Sequence, residues 1–153
     1  MEHYDNIPTF SFSGKFFETK ILDVYDGDTI TIMINLDKSY KISCRLLGLD
    51  TPELRSNDEN EKKAGYLARD YLLFLITHQK TSNLSRKEIR NLLAENTKKF
   101  KVECFDFDKY GRTLIKINFG GITLNDKMIE DGFAGIYDGN KKQHFLNYFK
   151  HLS

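Results

Sequence analysis

The stretch "TITIMINLDKSYKISCRLLGLDTPE", residues 29–53, organises the fold expected for this chain. Every second position of residues 30–36 is Ile or Leu, which is the pattern of a strand with one buried face. A short polar turn at residues 37–39 and a second apolar run at residues 40–49 follow, so the stretch predicts an antiparallel hairpin. Where the return strand stops, the chain places an acid, a hydroxyl, a proline and a second acid in a row.

Strand and helix patterns continue on both sides of this hairpin. Runs rich in β-branched and aromatic residues lie at residues 16–25, 100–107 and 112–119. Helical spacing of apolar residues occurs at residues 64–76, 85–96, 125–131 and 141–152. Ser85 and Glu88 form a capping box for the second of these helices, and Gly132 ends the third. The pattern predicts an α+β fold, mainly β, with three to four helices around a five-stranded Greek-key barrel of the OB-fold type.

The length of 153 residues fits one domain. We expect residues 1–15 to be a loose N-terminal segment and residues 16–153 to form a single domain with a helical insertion at about residues 77–96. Lys and Arg number 23 against 22 Asp and Glu, so the chain lacks the strongly basic composition of proteins that coat nucleic acid. Any anionic ligand must therefore be held by a local site.

The cysteines and the N-terminus bear on the compartment. Cys44 and Cys104 lie inside apolar runs, which predicts buried thiols and no disulfide. The N-terminus lacks the pattern of a secretory signal, and no run approaches the ~20 apolar residues that span a bilayer. We expect a soluble, intracellular protein without membrane contact, with a secreted form whose signal has been removed as the alternative. The oligomeric state stays open, with a monomer expected.

Two acids are predicted to meet across the hairpin. If the chain turns near Lys38, Asp28 pairs with Gly48, and Asp50 becomes its diagonal neighbour at about 7–8 Å between Cα atoms. One cation could bridge the two carboxylates. A register change of one residue would move Asp50 to the other face of the sheet.

Further oxygen atoms gather at the strand end. Gly27 permits a sharp turn between Asp26 and Asp28. Pro52 favours an extended Thr51, which holds the Thr51 carbonyl and the Glu53 carboxylate near the end of the strand. Oxygen donors without His or Cys suit a hard ion such as calcium or magnesium, and a water on such an ion can be activated as a nucleophile.

Two arginines stand where a strand would be expected to carry Val or Ile. Arg45 lies within the return strand, and Arg112 begins the last strand. A guanidinium group matches phosphate oxygens and stays charged, so both side chains can bind a phosphodiester and stabilise charge that develops on it. Each residue alone also fits a surface salt bridge.

Three motifs in fixed order carry a family resemblance: "DGDT" at residues 26–29, "RLLGLDTPE" at residues 45–53 and "DKYGR" at residues 108–112. Together they resemble the staphylococcal nuclease (thermonuclease) family over roughly residues 21–135. The resemblance implies an OB-fold nuclease that uses Ca²⁺ to hydrolyse phosphodiester bonds of DNA, RNA or both, with low sequence specificity and a 3′-phosphate product. The alternative is a noncatalytic OB-fold module that binds nucleic acid or a protein.

The resemblance also assigns roles to the acids. It implies that Asp28, Asp50 and the backbone carbonyl of Thr51 bind calcium. Asp26 would lie beside the ion without binding it directly. Glu53 would orient or deprotonate the attacking water.

The resemblance further assigns the basic and aromatic residues. Arg45 and Arg112 would bind the scissile phosphate, with Arg112 also directed toward the leaving group. Lys109 and Tyr110 resemble residues that contact a flanking phosphate. Tyr137 either lies beside a base or packs in the core. The helical insertion departs from the family pattern, and its role as a packing element, lid, dimer contact or substrate-selecting element stays open.

Overall fold

The structure, a computed structural model, describes residues 3–137. A single 3₁₀ turn, Tyr4–Asn6, precedes the first strand. Three α-helices are described, α1 (Glu59–Thr77), α2 (Arg86–Glu95) and α3 (Leu124–Glu130). The strands in chain order are β1 (Phe16–Thr19), β2 (Ile21–Val24), β3 (Thr29–Asn35), β4 (Ser39–Leu46), β5 (Leu49–Asp50), β6 (Phe100–Phe107), β7 (Thr113–Phe119), β8 (Ile122–Thr123) and β9 (Gly135–Ile136).

The two edges of the main sheet are formed by one continuous stretch of chain, so the sheet closes into a barrel. Its order is β1-β6-β7-β4-β3-β2, with β4 and β7 parallel and the other neighbours antiparallel. The two ends of this order, β1 and β2, are consecutive in the chain with only Lys20 between them. The predicted run at residues 16–25 is therefore one bent strand that serves both edges, which gives the OB-type barrel. The predicted fold class is confirmed, with short strands β5, β8 and β9 added to it.

The first hairpin forms with a different register from the predicted one. Thr29 pairs with Arg45, so the β3–β4 ladder places Asp28 beside Leu46, whose N–H donates to the Asp28 carbonyl at 2.8 Å. The predicted pairing of Asp28 with Gly48 is wrong by two residues. The return strand also ends early, because Gly48 adopts a left-handed conformation (φ +85°) and turns the chain into β5.

The helices follow the local signals. α1 begins after Asp58, whose carboxylate accepts hydrogen bonds from the backbone N–H groups of Asn60 and Glu61. α2 carries the predicted capping box between Ser85 and Glu88, with both reciprocal hydrogen bonds present. α3 agrees with the predicted helix at residues 125–131. The predicted helix at residues 141–152 lies outside the described residues.

The core is formed by the barrel interior and the apolar faces of all three described helices. Its largest fully buried side chains are Ile30, Ile32, Ile34, Leu46, Leu49, Leu72, Leu73, Ile76, Ile89, Leu93, Ile115 and Ile117. Cys44 and Cys104 are buried and free, as predicted, and burial raises the pKa of both thiols. Within residues 3–137 no helix is long and apolar enough to cross a bilayer.

Candidate active site

Two buried carboxylates converge on one arginine at the barrel surface. Asp28 and Asp50 are each only 4% exposed. Nη2 of Arg45 lies 3.2 Å from Oδ1 of Asp50 and 3.5 Å from Oδ2 of Asp28. The same nitrogen donates to the Leu49 carbonyl at 3.3 Å. The two acids that the sequence predicted to share a cation therefore meet, although the register that was expected to bring them together is wrong.

Asp28 sits in a turn that is tied on both sides. The Tyr25 N–H donates to the Thr29 carbonyl at 2.9 Å and closes the turn, while the Asp28 N–H donates to Oδ1 of Asp26 at 3.1 Å. Gly27 is required at the centre of the turn. A Cβ atom there would lie 2.8 Å from Cγ2 of Thr51 and also 2.9 Å from the Cβ atom of the α1 residue beneath it, Ala68.

Although burial opposes the shift, three acidic side chains, Asp28, Asp50 and Asp26, lie close enough to the Arg45 guanidinium to raise its pKa. Burial and then the neighbouring charge of Asp28 raise the pKa of Asp26 to about 7. Within residues 3–137 the Arg45 guanidinium contacts both Asp28 and Asp50. Two carboxylates that converge in this way offer oxygen ligands to a hard cation.

Thr51 and Glu53 follow directly from β5. The Thr51 N–H donates to Oδ2 of Asp28 at 3.3 Å, and within residues 3–137 its buried hydroxyl has no hydrogen-bond partner. Pro52 is buried, whereas Glu53 is exposed. Gly65 on α1 lies beneath them, where an added Cβ would come within 2.7 Å of the Pro52 carbonyl oxygen and 3.2 Å of the Glu53 carbonyl carbon. Close packing of α1 therefore sets the distance between the helix and the Glu53 backbone.

Arg112 is joined to the carboxylates through a threonine. Its Nη1 donates to Oγ1 of Thr29 at 3.3 Å, and that hydroxyl donates to Oδ1 of Asp28 at 3.0 Å. On its other side, Nε donates to Oδ2 of Asp108 at 2.7 Å. Although burial opposes it, hydrogen bonds from the backbone N–H groups of Arg112 and Tyr110 and from the Arg112 side chain hold the pKa of Asp108 below its ordinary value. This arrangement fixes the guanidinium plane toward the site.

The predicted substrate-binding residues line the rim of this cluster. The Tyr137 ring lies 5.3 Å from Cζ of Arg45, and its N–H donates to the Gly48 carbonyl at 2.9 Å. Tyr137 thus contacts the site. Tyr110 is 72% exposed, and its ring centre lies 5.2 Å from Nζ of Lys109 and 5.4 Å from Cζ of Arg112.

The donor set fits a hard cation. Asp28 and Asp50 supply buried carboxylate oxygens that face one nitrogen, and Thr51 adds a backbone carbonyl next in the chain. Such oxygen donors suit Ca²⁺ or Mg²⁺, which complete their coordination with water. No group of three or more His, Cys, Asp and Glu side chains in residues 3–137 is placed to hold a metal by itself. Waters or substrate oxygens would have to supply the remaining ligands.

Sequence reasoning missed several residues that hold the site in place. Asn125 is buried on α3, where its Nδ2 donates to the Leu47 carbonyl at 2.9 Å and to the Ile115 carbonyl at 3.0 Å. It thereby fixes the turn that leads into β5. Thr29 bridges Arg112 to the carboxylates, and Gly65 supports the Glu53 backbone. Only Thr29 stands in a motif that could have indicated its role.

The fold and the site together define an OB-fold barrel with a carboxylate and arginine cluster suited to a cation and an anion side by side. The sequence profile described as staphylococcal nuclease homologue matches residues 43–151, and the chain belongs to this family.

Three relatives illustrate how far the similarity extends. The chain is similar to an uncharacterized protein of Methanocaldococcus jannaschii, with 30% identity over 94% of this chain and 72% of the relative. An uncharacterized protein of Bacillus anthracis is 32% identical over 75% of this chain and 45% of its own length. The thermonuclease of Staphylococcus hyicus is 31% identical over 75% of this chain and 56% of its own length. The chain thus spans about half the length of the last two.

Proposed function

We propose that this protein is a calcium-dependent nuclease that hydrolyses phosphodiester bonds of DNA, RNA or both with low sequence specificity, leaving a 3′-phosphate. The observation that carries the proposal is the meeting of Asp28 and Asp50 on Arg45, with Arg112 joined to the same cluster through Thr29. Family membership and the similarity to a thermonuclease support it.

The acids would act on the metal and on water. Asp28, Asp50 and the Thr51 carbonyl would hold Ca²⁺, which when bound supplies positive charge for the phosphate and lowers the pKa of water. Glu53 is exposed beside these ligands, where its carboxylate can accept a proton from a water molecule or orient it toward phosphorus.

The arginines would act on the phosphate. Arg45 and Arg112 donate hydrogen bonds to its nonbridging oxygens and stabilise the charge that grows in the transition state. The bond between Arg112 and Asp108 keeps the Arg112 guanidinium oriented without removing its charge. Tyr110 and Tyr137 at the rim offer ring faces to bases, which is a sequence-tolerant contact.

The test is digestion of labelled single-stranded DNA, duplex DNA and RNA with calcium, with magnesium and with a chelator. Glu53→Gln removes the proposed proton acceptor, so we expect cleavage to fall by about 10²–10⁴-fold while calcium binding persists. Glu59→Gln, the same chemical change at an exposed residue at the start of α1, is the matched control. Folded protein that binds nucleic acid but cleaves none of the substrates would overturn the proposal in favour of a binding module.

A further inference from the structure

α2 covers the edge strand next to the site. β2 ends the main sheet and pairs with β3 alone among the described strands, and α2 packs against it. Ile89 and Leu93 bury the apolar face of α2. The capping box starts the helix at Ser85, so the position of the next residue, Arg86, is set by two reciprocal hydrogen bonds.

Arg86 contacts three consecutive residues of the strand end. Its Nη2 lies 2.6 Å from Oδ2 of Asp23, and its Nη1 donates to the Val24 carbonyl at 2.6 Å. Its guanidinium group lies over the Tyr25 ring at 5.1 Å. A planar guanidinium can make two directed hydrogen bonds and stack at the same time, which an ammonium group cannot do.

These three residues lead directly into the turn that carries the acids. Tyr25 closes that turn through its N–H bond to the Thr29 carbonyl, and the next three residues are Asp26, Gly27 and Asp28. On the opposite side, the N–H of Leu46 holds the Asp28 carbonyl. The turn is therefore held by β4 on one side and by α2, through Arg86, on the other.

We propose that Arg86 is a positioning residue that fixes the Asp26–Asp28 turn for cation binding, and that the segment at residues 77–96 serves as a brace for the site. This inference rests on the proposed function, which it deepens by assigning a task to the segment that departs from the family pattern. The Arg86 side chain is 38% exposed, so its ion pair with Asp23 alone would hold the turn weakly. The bond to the Val24 carbonyl and the stacking on Tyr25 supply the geometric constraint.

The test compares Arg86→Ala and Arg86→Lys with Arg90→Ala, which removes the same charge from an exposed position of the same helix. Three quantities are measured: the calcium Kd by titration calorimetry, kcat and KM on single-stranded DNA, and amide hydrogen exchange at residues 25–29. We expect Arg86→Ala to weaken calcium binding about tenfold, or roughly 1.4 kcal/mol. We also expect it to speed exchange in the turn and to lower kcat more than it changes KM.

Arg86→Lys keeps the positive charge but loses the planar guanidinium group, so calcium affinity, kcat and hydrogen exchange in the turn should change in the same direction by a smaller amount. This variant remains informative if Arg86→Ala does not fold. Arg90→Ala should match the wild type. The inference would be overturned if both Arg86 variants kept the wild-type calcium Kd and the wild-type amide hydrogen exchange at residues 25–29. It would also be overturned if amide exchange became faster evenly over the whole chain. If the wild type neither binds calcium nor cleaves nucleic acid, the proposed function and the calcium-binding part of this inference both fail. The exchange comparison then still decides whether Arg86 fixes the turn.

Discussion

Gly65→Ala tests whether the packing of α1 sets the position of Glu53. A Cβ at residue 65 would lie 2.7 Å from the Pro52 carbonyl oxygen, whereas ordinary van der Waals separation begins at 3.4 Å. The obstacle is backbone, which cannot rotate away as a side chain can. In the variant the backbone of Pro52 and Glu53 must therefore move about 0.7 Å away from α1.

We expect Gly65→Ala to affect the catalytic rate more strongly than the stability of the fold. A misplacement of about 1 Å can cost on the order of 10²-fold in rate, so we expect kcat to decrease by about 10–100-fold. Overpacking destabilises a fold by about 1–3 kcal/mol, while replacing Gly by Ala inside a helix stabilises it by about 1 kcal/mol. The free energy of unfolding should thus decrease by no more than about 2 kcal/mol.

The assay measures kcat on single-stranded DNA at saturating calcium together with urea unfolding. Lys63→Ala, at an exposed position two residues earlier in α1, is the control for an alanine substitution without a clash. Full activity and unchanged stability of Gly65→Ala would refute the reasoning, because they would show that the backbone at Pro52 and Glu53 is not fixed against α1.

Three further changes address other parts of the site. Arg112→Lys keeps the positive charge, but an ammonium group cannot hydrogen-bond to Asp108 and Thr29 at the same time as the planar guanidinium does. We therefore expect kcat to fall by about 10²-fold with a smaller change in KM. Unchanged kcat and KM would contradict the phosphate-binding role. The pKa of Asp108 lies below the ordinary 3.8, so its contribution to stability is present above about pH 4 and is lost as the pH falls through the lower folded-state value. Asp108→Asn should therefore flatten the acid side of the stability profile measured by urea unfolding, and an unchanged profile would argue against this linkage. Calcium at about 100 times its Kd should stabilise the wild type by about 2.7 kcal/mol, and Asp50→Asn should abolish most of the resulting rise in Tm; a rise of the same size in the variant would remove Asp50 from the binding site.

The order of elements could be predicted because the signals are local. Apolar residues at every second position place β3, and the pairing of Ser85 with Glu88 places the start of α2, since both depend on neighbours within a few residues. The three motifs also brought the candidate site residues to attention. The β3–β4 register could not be predicted in the same way, because a shift of two residues preserves which face is buried.

What the sequence by itself determined is the five longer strand segments, the three described helices, the barrel class and the residue types available for binding a cation and a phosphate. Tertiary structure alone decided how they meet. Asp28 lies beside the Thr29–Arg45 pair of the β3–β4 ladder, whereas Asp50 reaches the same guanidinium because β4 ends at Leu46 and the chain turns at Gly48 into β5. Arg86 meets Val24 across 62 positions in the chain. Such contacts depend on how the helices pack on the closed barrel, and packing between distant segments leaves no local periodic pattern in the sequence.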